Sequence, residues 1–407
     1  MNVTLTAADE RARDAVRQAI ILIITATLVL TILGVVMVFS ATSVTSISMA
    51  VTYDDPSARF AVAQRQLIFA LVGLVFLPIA ALIPGSFYKR AVWPIYGLGI
   101  VLQLLVLTPL SLSGGGNTNW ISLGGVVLQP SEFLKLASAL WLGVMLGRLS
   151  REDMANPRTV LVPAGAGAFA SLAAVLLGQD MGTAIIYVVM FAVAFYLAGM
   201  PGKWFAMVAL AVGVVGSILI VSQRSRLNRV IDYVENIFIT PDAVDPTQSE
   251  YAMWAFGTGG IGGVGLGASR EKWNYLPEAH NDFIFAVVGE ELGFFGALAV
   301  ILLYLVLGYG FYRIVANHSE TWVRYVVAMI AMWLVGQAVL NMMVVTGVLP
   351  VFGVPLPFIS QGGSALIACL LAVGVVISLA LRQPGVARSM RPSRMSYKST
   401  ASLRSTR

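Results

Sequence analysis

The sequence predicts an all-α fold for a polytopic membrane protein, and two observations lead to this prediction. Of its 407 residues, 58% are hydrophobic and only 11% are charged, whereas soluble domains contain about 25% charged residues. Several apolar stretches are also long enough to cross a bilayer. Because lipid offers no hydrogen-bond partners, each stretch must satisfy its own backbone as a helix.

We predict ten transmembrane helices. They cover residues 18–41, 66–83, 92–110, 133–148, 159–178, 183–199, 203–222, 282–312, 323–347 and 359–382. The fourth and sixth stretches are short, so helix tilt or local thinning of the bilayer must accommodate them. The chain then divides into a tail over 1–17, a membrane domain over 18–382 and a basic, Ser-rich tail over 383–407, which we expect to be disordered.

The distribution of basic residues predicts the orientation. Arg11, Arg13 and Arg17 precede the first span and no convincing cleavage site follows it, so we interpret this span as a retained anchor. The two tails and the connections on their side of the membrane hold most of the 26 Lys and Arg residues. The positive-inside rule therefore places both termini in the cytoplasm. The net charge of +6 follows from this topology and from anionic lipid, and it requires no nucleic-acid partner.

Cysteine and histidine are too scarce for several kinds of site. The single cysteine, Cys369, excludes an intramolecular disulfide bond. Two histidines without a Cys/His cluster argue against a built-in zinc or haem site.

Two long segments, 111–132 and 223–281, lie on the predicted extracytoplasmic side, together with most acidic residues. Structureless loops longer than about 12 to 15 residues are usually functional or disordered, and we expect the loop over 223–281, between the seventh and eighth spans, to be functional. Its glycine-rich stretch, between Gly257 and Gly267, has two open interpretations. It is a flexible or membrane-dipping segment, or it is a backbone cradle for phosphate. No strand precedes it, which excludes a dinucleotide-binding fold.

The stretch LPEAHNDFIFAVVGEELG, residues 276–293, places acids at the start of an apolar span and inside it. Apolar neighbours should raise the pKa of Asp282 toward the range of a general base, although Asp also favours helix N-caps. Both roles remain open. Glu290 and Glu291 lie deeper, and we expect buried pairs with Arg, Lys or backbone donors. Gly289 and Gly293 have the spacing that lets another helix approach closely.

Other polar residues on this side also permit two interpretations. Trp120 fits an interfacial aromatic residue or a substrate contact. Glu132 and Lys135, three residues apart, could pair at a helix start. Asp180 fits a cap or part of a polar outer cavity. Residues 347–365 contain three prolines and four glycines, so we expect a non-helical segment that folds into or over an outward cavity.

Five motifs in this order resemble the SEDS family (shape, elongation, division and sporulation) over residues 18–382. They are NWISLGGVVLQPSEFLK, QDMGTA, QSEYAMWAFGTGGIGGVGLGAS, LPEAHNDFIFAVVGEELG and GVLPVFGVPLPFISQGGS. LPEAH followed by EELG is more similar to the division branch than to the elongation branch. The resemblance implies a ten-helix peptidoglycan glycosyltransferase that polymerises lipid II outside the bacterial cytoplasmic membrane, at the division septum. It implies that Asp282 is catalytic and that Trp120 and Glu132 are functionally important.

The resemblance also implies partners and a cofactor. It implies a class B penicillin-binding transpeptidase, other division proteins and membrane lipid as partners, and a divalent cation, Mg²⁺ or Mn²⁺, without an organic cofactor. The chain departs from the family pattern at three positions. Asn119 stands where Arg is frequent, Gln179 where Pro is usual and Gln361 where Tyr is frequent. The missing Arg removes one potential phosphate ligand.

The expected chemistry assigns roles to the remaining candidates. A β-1,4 bond made from an α-linked donor needs a single inversion and therefore one base, which Asp282 can supply. Basic residues or a metal ion could stabilise the departing pyrophosphate. The predicted substrate-binding residues are Trp120, Glu132, Lys135, Arg224, Arg226, Arg229, Lys272 and His280. Three alternatives remain open: a lipid II flippase or other transporter, a non-enzymatic scaffold for division proteins, and an elongation-type polymerase.

Overall fold

The computed structural model describes residues 7–52, 54, 60–114, 117–238, 247–273 and 276–389. In chain order its helices are α1 (Ala7–Thr52), α2 (Ala61–Leu82), α3 (Gly85–Arg90), α4 (Val92–Leu104), α5 (Pro130–Leu146), α6 (Arg151–Ala155), α7 (Pro157–Val160), α8 (Ala166–Leu177), α9 (Met181–Ala198), α10 (Gly202–Val221), α11 (Arg224–Phe238), α12 (Gln248–Gly259), α13 (Ile284–Asn317), α14 (Thr321–Ala331), α15 (Gln337–Val345), α16 (Gly363–Ala380) and α17 (Val386–Ser389). A 3₁₀ turn extends α4, and π-helical turns join α7 to α8 and α14 to α15. The predicted helical fold class is confirmed.

Helices occur at each of the ten predicted spans, but they differ in length and hydrophobicity. Seven helices in the described ranges are long and apolar enough: Asp9–Ser43, Ala61–Leu82, Met181–Ala198, Gly202–Val221, Ile284–Asn317, Thr321–Val345 and Gly363–Ala380. Val92–Leu107 and Val162–Leu177 are shorter apolar helices. The remaining predicted span coincides with α5, which contains Glu132 and Lys135. The number of ten crossings stays a prediction.

Helix α5 lies at the centre of the helix bundle. Nearly all of its residues are buried, including Trp141, and it packs against α4 and α14. Gly143 and Gly147 lie so close to Val326 and Trp322 of α14 that a Cβ at either glycine would overlap its neighbour or press tightly against it. Small residues at such positions let helices approach closely in a membrane, where packing drives association. Other closely packed pairs are α1–α13 and α2–α16, and α16 also packs against α5.

A small antiparallel sheet interrupts the helical architecture. Its strands are β1 (Ser111–Gly114), β2 (Asn117–Leu123) and β3 (Val126–Leu128), in the order β1-β2-β3. Gly124 and Gly125 connect β2 to β3 with φ of +58° and +86°, a conformation that glycine adopts without steric penalty. The all-α prediction missed this sheet. A two-residue Gly-Gly connection between β-prone stretches is a hairpin signal that could have revealed it.

The predicted loop over 223–281 contains structure of its own. Helix α11 follows α10 directly, and Tyr233 Oη donates a hydrogen bond of 2.6 Å to the Val348 carbonyl. Helix α12 packs against α13. Residues 239–246 and 274–275 lie outside the described residues.

The glycine-rich turn after α12 meets α13 where α13 is broken. Gly293 has φ of +68° and ψ of −165° inside α13, so the helix path changes there. Phe294 N donates to the Gly260 carbonyl at 2.9 Å. Gly293 also packs directly on the backbone of Gly263. The expected close approach at Gly289 is confirmed, because Phe256 of α12 occupies the space beside it.

The opposite end of the bundle is formed by the connections near α3, α6 and the start of α14. Arg382 forms an ion pair with Glu320 at 2.7 Å, and Gln383 accepts a hydrogen bond from Ser319 N at 2.8 Å. The first residues of the predicted C-terminal tail form α17, in which Val386 is buried. Residues 1–6 and 390–407 of the two tails lie outside the described residues.

Candidate functional site

Asp282 lies in the turn that leads into α13. The N-cap of α13 is Phe283, without a side-chain cap, so the interpretation of Asp282 as the cap is wrong. Its backbone carbonyl accepts a hydrogen bond of 2.7 Å from Asn341 Nδ2. The same amide donates to the Val354 carbonyl at 2.7 Å. Asn341 of α15 therefore ties the turn at Asp282 to the segment that follows α15.

That segment, residues 347–362, covers the turn at Asp282. As predicted, it is not helical. Ser360 Oγ donates to the Asn281 carbonyl at 2.6 Å, and Gln361 N donates to the His280 carbonyl at 3.0 Å. A Cβ at Gly353 would lie 3.3 Å from Oδ2 of Asp282. The segment thus forms one wall beside the Asp282 carboxylate.

The surroundings of Asp282 raise the pKa of its carboxyl group toward neutral pH. Burial of its carboxyl group is the main cause that raises its pKa to about 7, and the negative charges of Glu278 and Asp180 raise the pKa further. Arg229 on α11 acts in the opposite direction. Burial lowers the pKa of the neighbouring His280, which favours a neutral imidazole. A carboxylate with a pKa near the working pH suits general base catalysis.

Asp180 is the N-cap of α9 and the centre of a buried polar network. Its Oδ1 accepts from Thr183 N at 2.9 Å, which confirms the cap interpretation. Its Oδ2 accepts from Asn119 Nδ2 at 2.9 Å and from Gln129 Nε2 at 3.1 Å. One carboxylate therefore connects β2, the start of α5 and the start of α9.

Trp120 follows Asn119 in β2 and is partly exposed. It pairs across the sheet with Leu112 of β1. The hydrogen bond from Asn119 to Asp180 thus fixes the strand on which Trp120 lies. Its role in substrate binding stays a prediction.

Glu132 and Lys135 form the expected ion pair, at 2.8 Å. Both side chains are almost completely buried. Lys135 Nζ also donates to Gln337 Oε1 at 3.0 Å and lies 5.0 Å from the ring centroid of Trp333. Gln337 Nε2 in turn donates to the Pro355 carbonyl at 2.8 Å. The pair therefore supports the segment over 347–362 from beneath, and its contact with substrate stays a prediction.

The three predicted arginines lie on α11. Arg224 and Arg229 are exposed, and the charge of Arg229 acts on Asp282. Arg226 belongs to the same helix. The structure thus brings Arg229 to the site, and the roles of all three stay predictions.

Lys272 belongs to a different cluster, with Glu290 and Glu291. Its Nζ forms a buried ion pair of 3.3 Å with Glu291 Oε1 and donates to the Gly267 carbonyl at 2.6 Å. Ser40 Oγ of α1 donates to the carboxylate of Glu291 at 2.6 Å. The expected Lys partner is confirmed. The predicted role of Lys272 as a pyrophosphate ligand stays a prediction, and its ammonium group already has acceptors within the protein.

Glu290 is satisfied by the chain that follows the glycine-rich turn. Its carboxylate accepts from Ser269 Oγ at 2.5 Å and from Arg270 N at 2.8 Å. The expectation of backbone donors is confirmed here.

The amides of the glycine-rich turn are used inside the protein. Val264 N and Gly265 N donate to the carbonyls of Glu290 and Glu291, each at 3.0 Å. Gly267 N donates to Ser40 Oγ at 3.1 Å. These three amides already donate to acceptors within the protein. The interpretation that they form a phosphate cradle is therefore wrong.

A cation site made by protein alone is not evident in the described ranges. No group of three or more His, Cys, Asp or Glu side chains there is arranged to hold a metal ion. The residues described do not by themselves fit the implied divalent cation, and a requirement for it stays a prediction.

Two site residues were missed in the sequence. Asn341 ties Asp282 to Val354, and Gln129 binds Asp180. An amide in the apolar span over 323–347 is a signal that could have identified Asn341, because polar residues at membrane depth are usually functional. Gln129 lies within the first of the five motifs, but its partner Asp180 is 51 positions away, so no local pattern indicates the contact.

Comparison with known proteins identifies the family and supports the fold. A family model described as "Cell cycle protein", for FtsW, RodA and SpoVE proteins, matches residues 20–384. The chain belongs to this family. The resemblance carried by the five motifs is thereby confirmed.

Relatives in this family cover most of the chain. The "Probable peptidoglycan glycosyltransferase FtsW" of Mycobacterium tuberculosis is 35% identical over 378 residues, which are 92% of this chain and 70% of that protein. The protein of the same name from Trichlorobacter lovleyi is 37% identical over 366 residues, covering 86% of this chain and 90% of the relative. Stage V sporulation protein E of Bacillus subtilis is 33% identical over 367 residues, covering 88% and 96%.

Solved structures share the family fold. The rod shape determining protein RodA of Thermus thermophilus has a TM-score of 0.63 at 23% identity, covering 89% of this chain and 96% of that one. A chain from a peptidoglycan synthase complex, described for its coordination of polymerization and crosslinking, has a TM-score of 0.70 at 23% identity, covering 89% and 98%. The architecture is therefore that of RodA.

Proposed function

We propose that this chain is a peptidoglycan glycosyltransferase of the FtsW type, which polymerises lipid II into glycan strands during septal wall synthesis. The observation that carries the proposal is the Asp282 carboxylate. It lies at the start of an apolar helix, is walled by residues 347–362 and has a pKa raised to about 7. The names of the FtsW relatives support the same activity.

The reaction follows from the chemistry of the substrate. Lipid II carries a sugar linked in the α configuration to a polyprenyl pyrophosphate. An acceptor sugar hydroxyl attacks the anomeric carbon from the opposite face while Asp282 takes the hydroxyl proton. The bond from that carbon to the pyrophosphate oxygen breaks, the lipid pyrophosphate leaves, and one inversion produces a β-1,4 linkage.

Charge on the departing pyrophosphate grows in the transition state. Arg229 is the predicted cation whose charge reaches Asp282, and Arg224 is exposed on the same helix. Preorganised positive charge at a developing anion is among the largest contributions to catalysis. We therefore assign leaving-group stabilisation to α11 first.

The membrane position fits a substrate with an apolar tail. The polyprenyl chain stays in lipid while the sugars reach water, so the site belongs where an apolar helix meets a polar cavity. Asp282 lies two residues before α13, whose buried first residues include Ile284 and Phe285. This boundary, on the extracytoplasmic side with both termini in the cytoplasm, is the location we propose.

The proposed reaction also implies protein partners. We propose a class B penicillin-binding transpeptidase as the partner that crosslinks the new strands, with other division proteins around it. The likeness to a chain of a peptidoglycan synthase complex supports this assignment. A divalent cation is proposed as an additional requirement of the reaction.

The decisive experiment compares the wild type with Asp282→Asn in detergent, with the transpeptidase partner and lipid II. We expect Asp282→Asn to abolish polymerisation, because it removes the base, while expression and partner binding persist. Glu152→Gln changes an exposed residue of α6 and is the matched control, which should retain polymerisation. Glycan strands are measured by gel electrophoresis.

A paired assay separates the enzyme from a transporter. Lipid II translocation is measured in vesicles that contain the same variants. Full polymerisation by Asp282→Asn together with loss of translocation would favour a flippase and would contradict the proposal. Complementation of cells depleted of FtsW or of RodA then distinguishes a division role from an elongation role.

A further inference from the structure

The network around Asp180 extends to Asp282 through direct packing. Gly182, in the first turn of α9, has its α-carbon against the backbone carbonyls of Phe352 and Gly353, and a Cβ there would lie 2.9 Å from the Gly353 oxygen. Gly353 in turn lies against Oδ2 of Asp282. The helix start capped by Asp180 therefore supports the wall that contacts the base.

The charge of Asp180 is also unusual in its surroundings. Asp180 is 2% exposed, and its hydrogen-bond donors are neutral: two side-chain amides and one backbone amide. No ion pair within the described part of the chain involves Asp180. A buried carboxylate without a counter-charge acts over a longer range than one neutralised by a cation.

We propose that Asn119 and Asp180 form a positioning pair for Asp282, in which the neutral amide of Asn119 holds the Asp180 carboxylate without neutralising it. The charge that remains on Asp180 adds to the effects of burial and of Glu278 and increases the basicity of Asp282. This inference rests on the proposed function, since it concerns the same base.

The charges that surround Asp282 support this assignment. Glu278, in the preceding turn, and Asp180 raise its pKa, and Arg229 on α11 lowers it. His280 lies two residues away, with a pKa lowered by burial. Among the two acids Glu278 is exposed, whereas Asp180 is buried. Solvent and salt screen the charge of Glu278 much more than the charge of Asp180. The effect of Asp180 on the pKa of Asp282 therefore depends less on ionic strength.

The direction of the expected change in pH dependence follows from the ionisation of Asp282. Asp282 accepts a proton only when it is ionised, so activity is present above its pKa near 7 and is lost as pH falls through that value. Weakening the negative charge at Asp180 makes ionisation of Asp282 easier. The loss of activity then moves to lower pH.

Two variants test the proposal, and both change the charge at Asp180. Asn119→Arg supplies a guanidinium that can pair with Asp180, and Asp180→Asn removes the charge. We expect each to lower the midpoint of the pH–rate profile for lipid II polymerisation by about one pH unit, the lower end of what one neighbouring charge does to a carboxyl group. Asp153→Asn, the same change at the capped start of α6, is the matched control and should leave the midpoint unchanged.

A second readout makes the test independent of turnover. The protonated carboxyl band of Asp282 is followed by infrared spectroscopy against pH, and it is identified by its loss in Asp282→Asn. We expect the same downward movement of its midpoint in Asn119→Arg and Asp180→Asn. If Asp180→Asn fails to fold, Asn119→Arg still decides, since it keeps the cap of α9.

The outcomes distinguish this inference from the proposed function. Infrared midpoints equal to that of the wild type in the folded variants would overturn the positioning pair, whatever the activity. A wild type that titrates with a midpoint sensitive to both variants but makes no glycan would uphold the pair and overturn the polymerase.

Discussion

At the scale of single residues, Asp282 shows how position alters a carboxyl group. Burial is the first cause that raises its pKa to about 7, and two neighbouring acids add to it. Because the carboxyl group ionises in the unfolded chain at lower pH than in the folded one, the folded protein loses stability as pH rises from about 4 to 7. The raised pKa is therefore a liability for stability, as is common at active sites.

Lys272 and Glu291 illustrate the opposite case, in which two buried charges satisfy each other. Their contact is 3.3 Å and both side chains are almost fully buried. The chain uses these charges to join α1, the glycine-rich turn and α13, through Ser40 and Gly267. Such a pair is costly to break because one charge is left without a partner.

We predict that Lys272→Met lowers the free energy of unfolding by about 3 to 5 kcal/mol, since Glu291 would stay buried and unpaired. Thermal unfolding in detergent measures the effect. The double variant Lys272→Met with Glu291→Gln should lose less, and Lys203→Met, at an exposed lysine of α10, should lose almost nothing. Equal unfolding temperatures for Lys272→Met and the wild type would contradict the role assigned to the pair.

At the scale of elements, the site depends on close contact between α12 and α13. Gly259 of α12 lies against the carbonyl of Gly289 in α13, and Gly289 lies against the ring of Phe256. The break at Gly293 accommodates the glycine-rich turn. The position of the first part of α13, and with it the turn at Asp282, therefore depends on small residues.

Gly259→Ala is expected to separate α12 from α13, because a Cβ would overlap the Gly289 carbonyl. We predict a lower unfolding temperature together with reduced polymerisation. Gly257→Ala, in the same helix with no atom within 4 Å of the new Cβ, should be neutral or stabilising by up to about 1 kcal/mol. Equal unfolding temperatures and equal polymerisation by the two variants would contradict this dependence.

The helices and strands also show which elements local sequence patterns can predict. Continuous apolar runs correctly predicted helices at all ten positions, because each run in lipid must satisfy its own backbone. The β1–β3 sheet was missed because turn signals rather than apolar periodicity reveal it. Helix α11 was missed although Leu227, Val230, Ile231 and Val234 recur at helical spacing, because the polar character of the segment favoured a loop. The break at Gly293 was equally invisible, because glycine is compatible with a continuous membrane helix.

At the scale of the whole molecule, the candidate site and the basic connections lie at opposite ends of the bundle. The end with Asp282 also holds the β1–β3 sheet, the start of α9 and residues 347–362, as their hydrogen bonds show. The other end holds the ion pair of Arg382 with Glu320 and the short helix α6. We expect these ends to face opposite sides of the membrane.

Cysteine labelling tests this orientation. In a Cys369→Ser background, Ser113→Cys in β1 should react with a membrane-impermeant maleimide in intact spheroplasts. Ser150→Cys, at the start of α6, should react only after permeabilisation. Both serines are exposed, so the difference reports the side of the membrane. The reverse pattern would place Asp282 in the cytoplasm and exclude polymerisation of externally presented lipid II.

The sequence by itself determined the membrane class, the helical positions, the family and the identity of the candidate base, because these depend on local hydropathy and on motifs within short stretches. It also predicted the pairing of Glu132 with Lys135, three residues apart on one helix face. Only the tertiary structure decided that Asp180 binds Asn119 and Gln129, that Asn341 holds the turn at Asp282, and that the glycine-rich amides are occupied. These contacts join residues tens or hundreds of positions apart, and the partner of a buried donor or acceptor depends on which segments packing brings together.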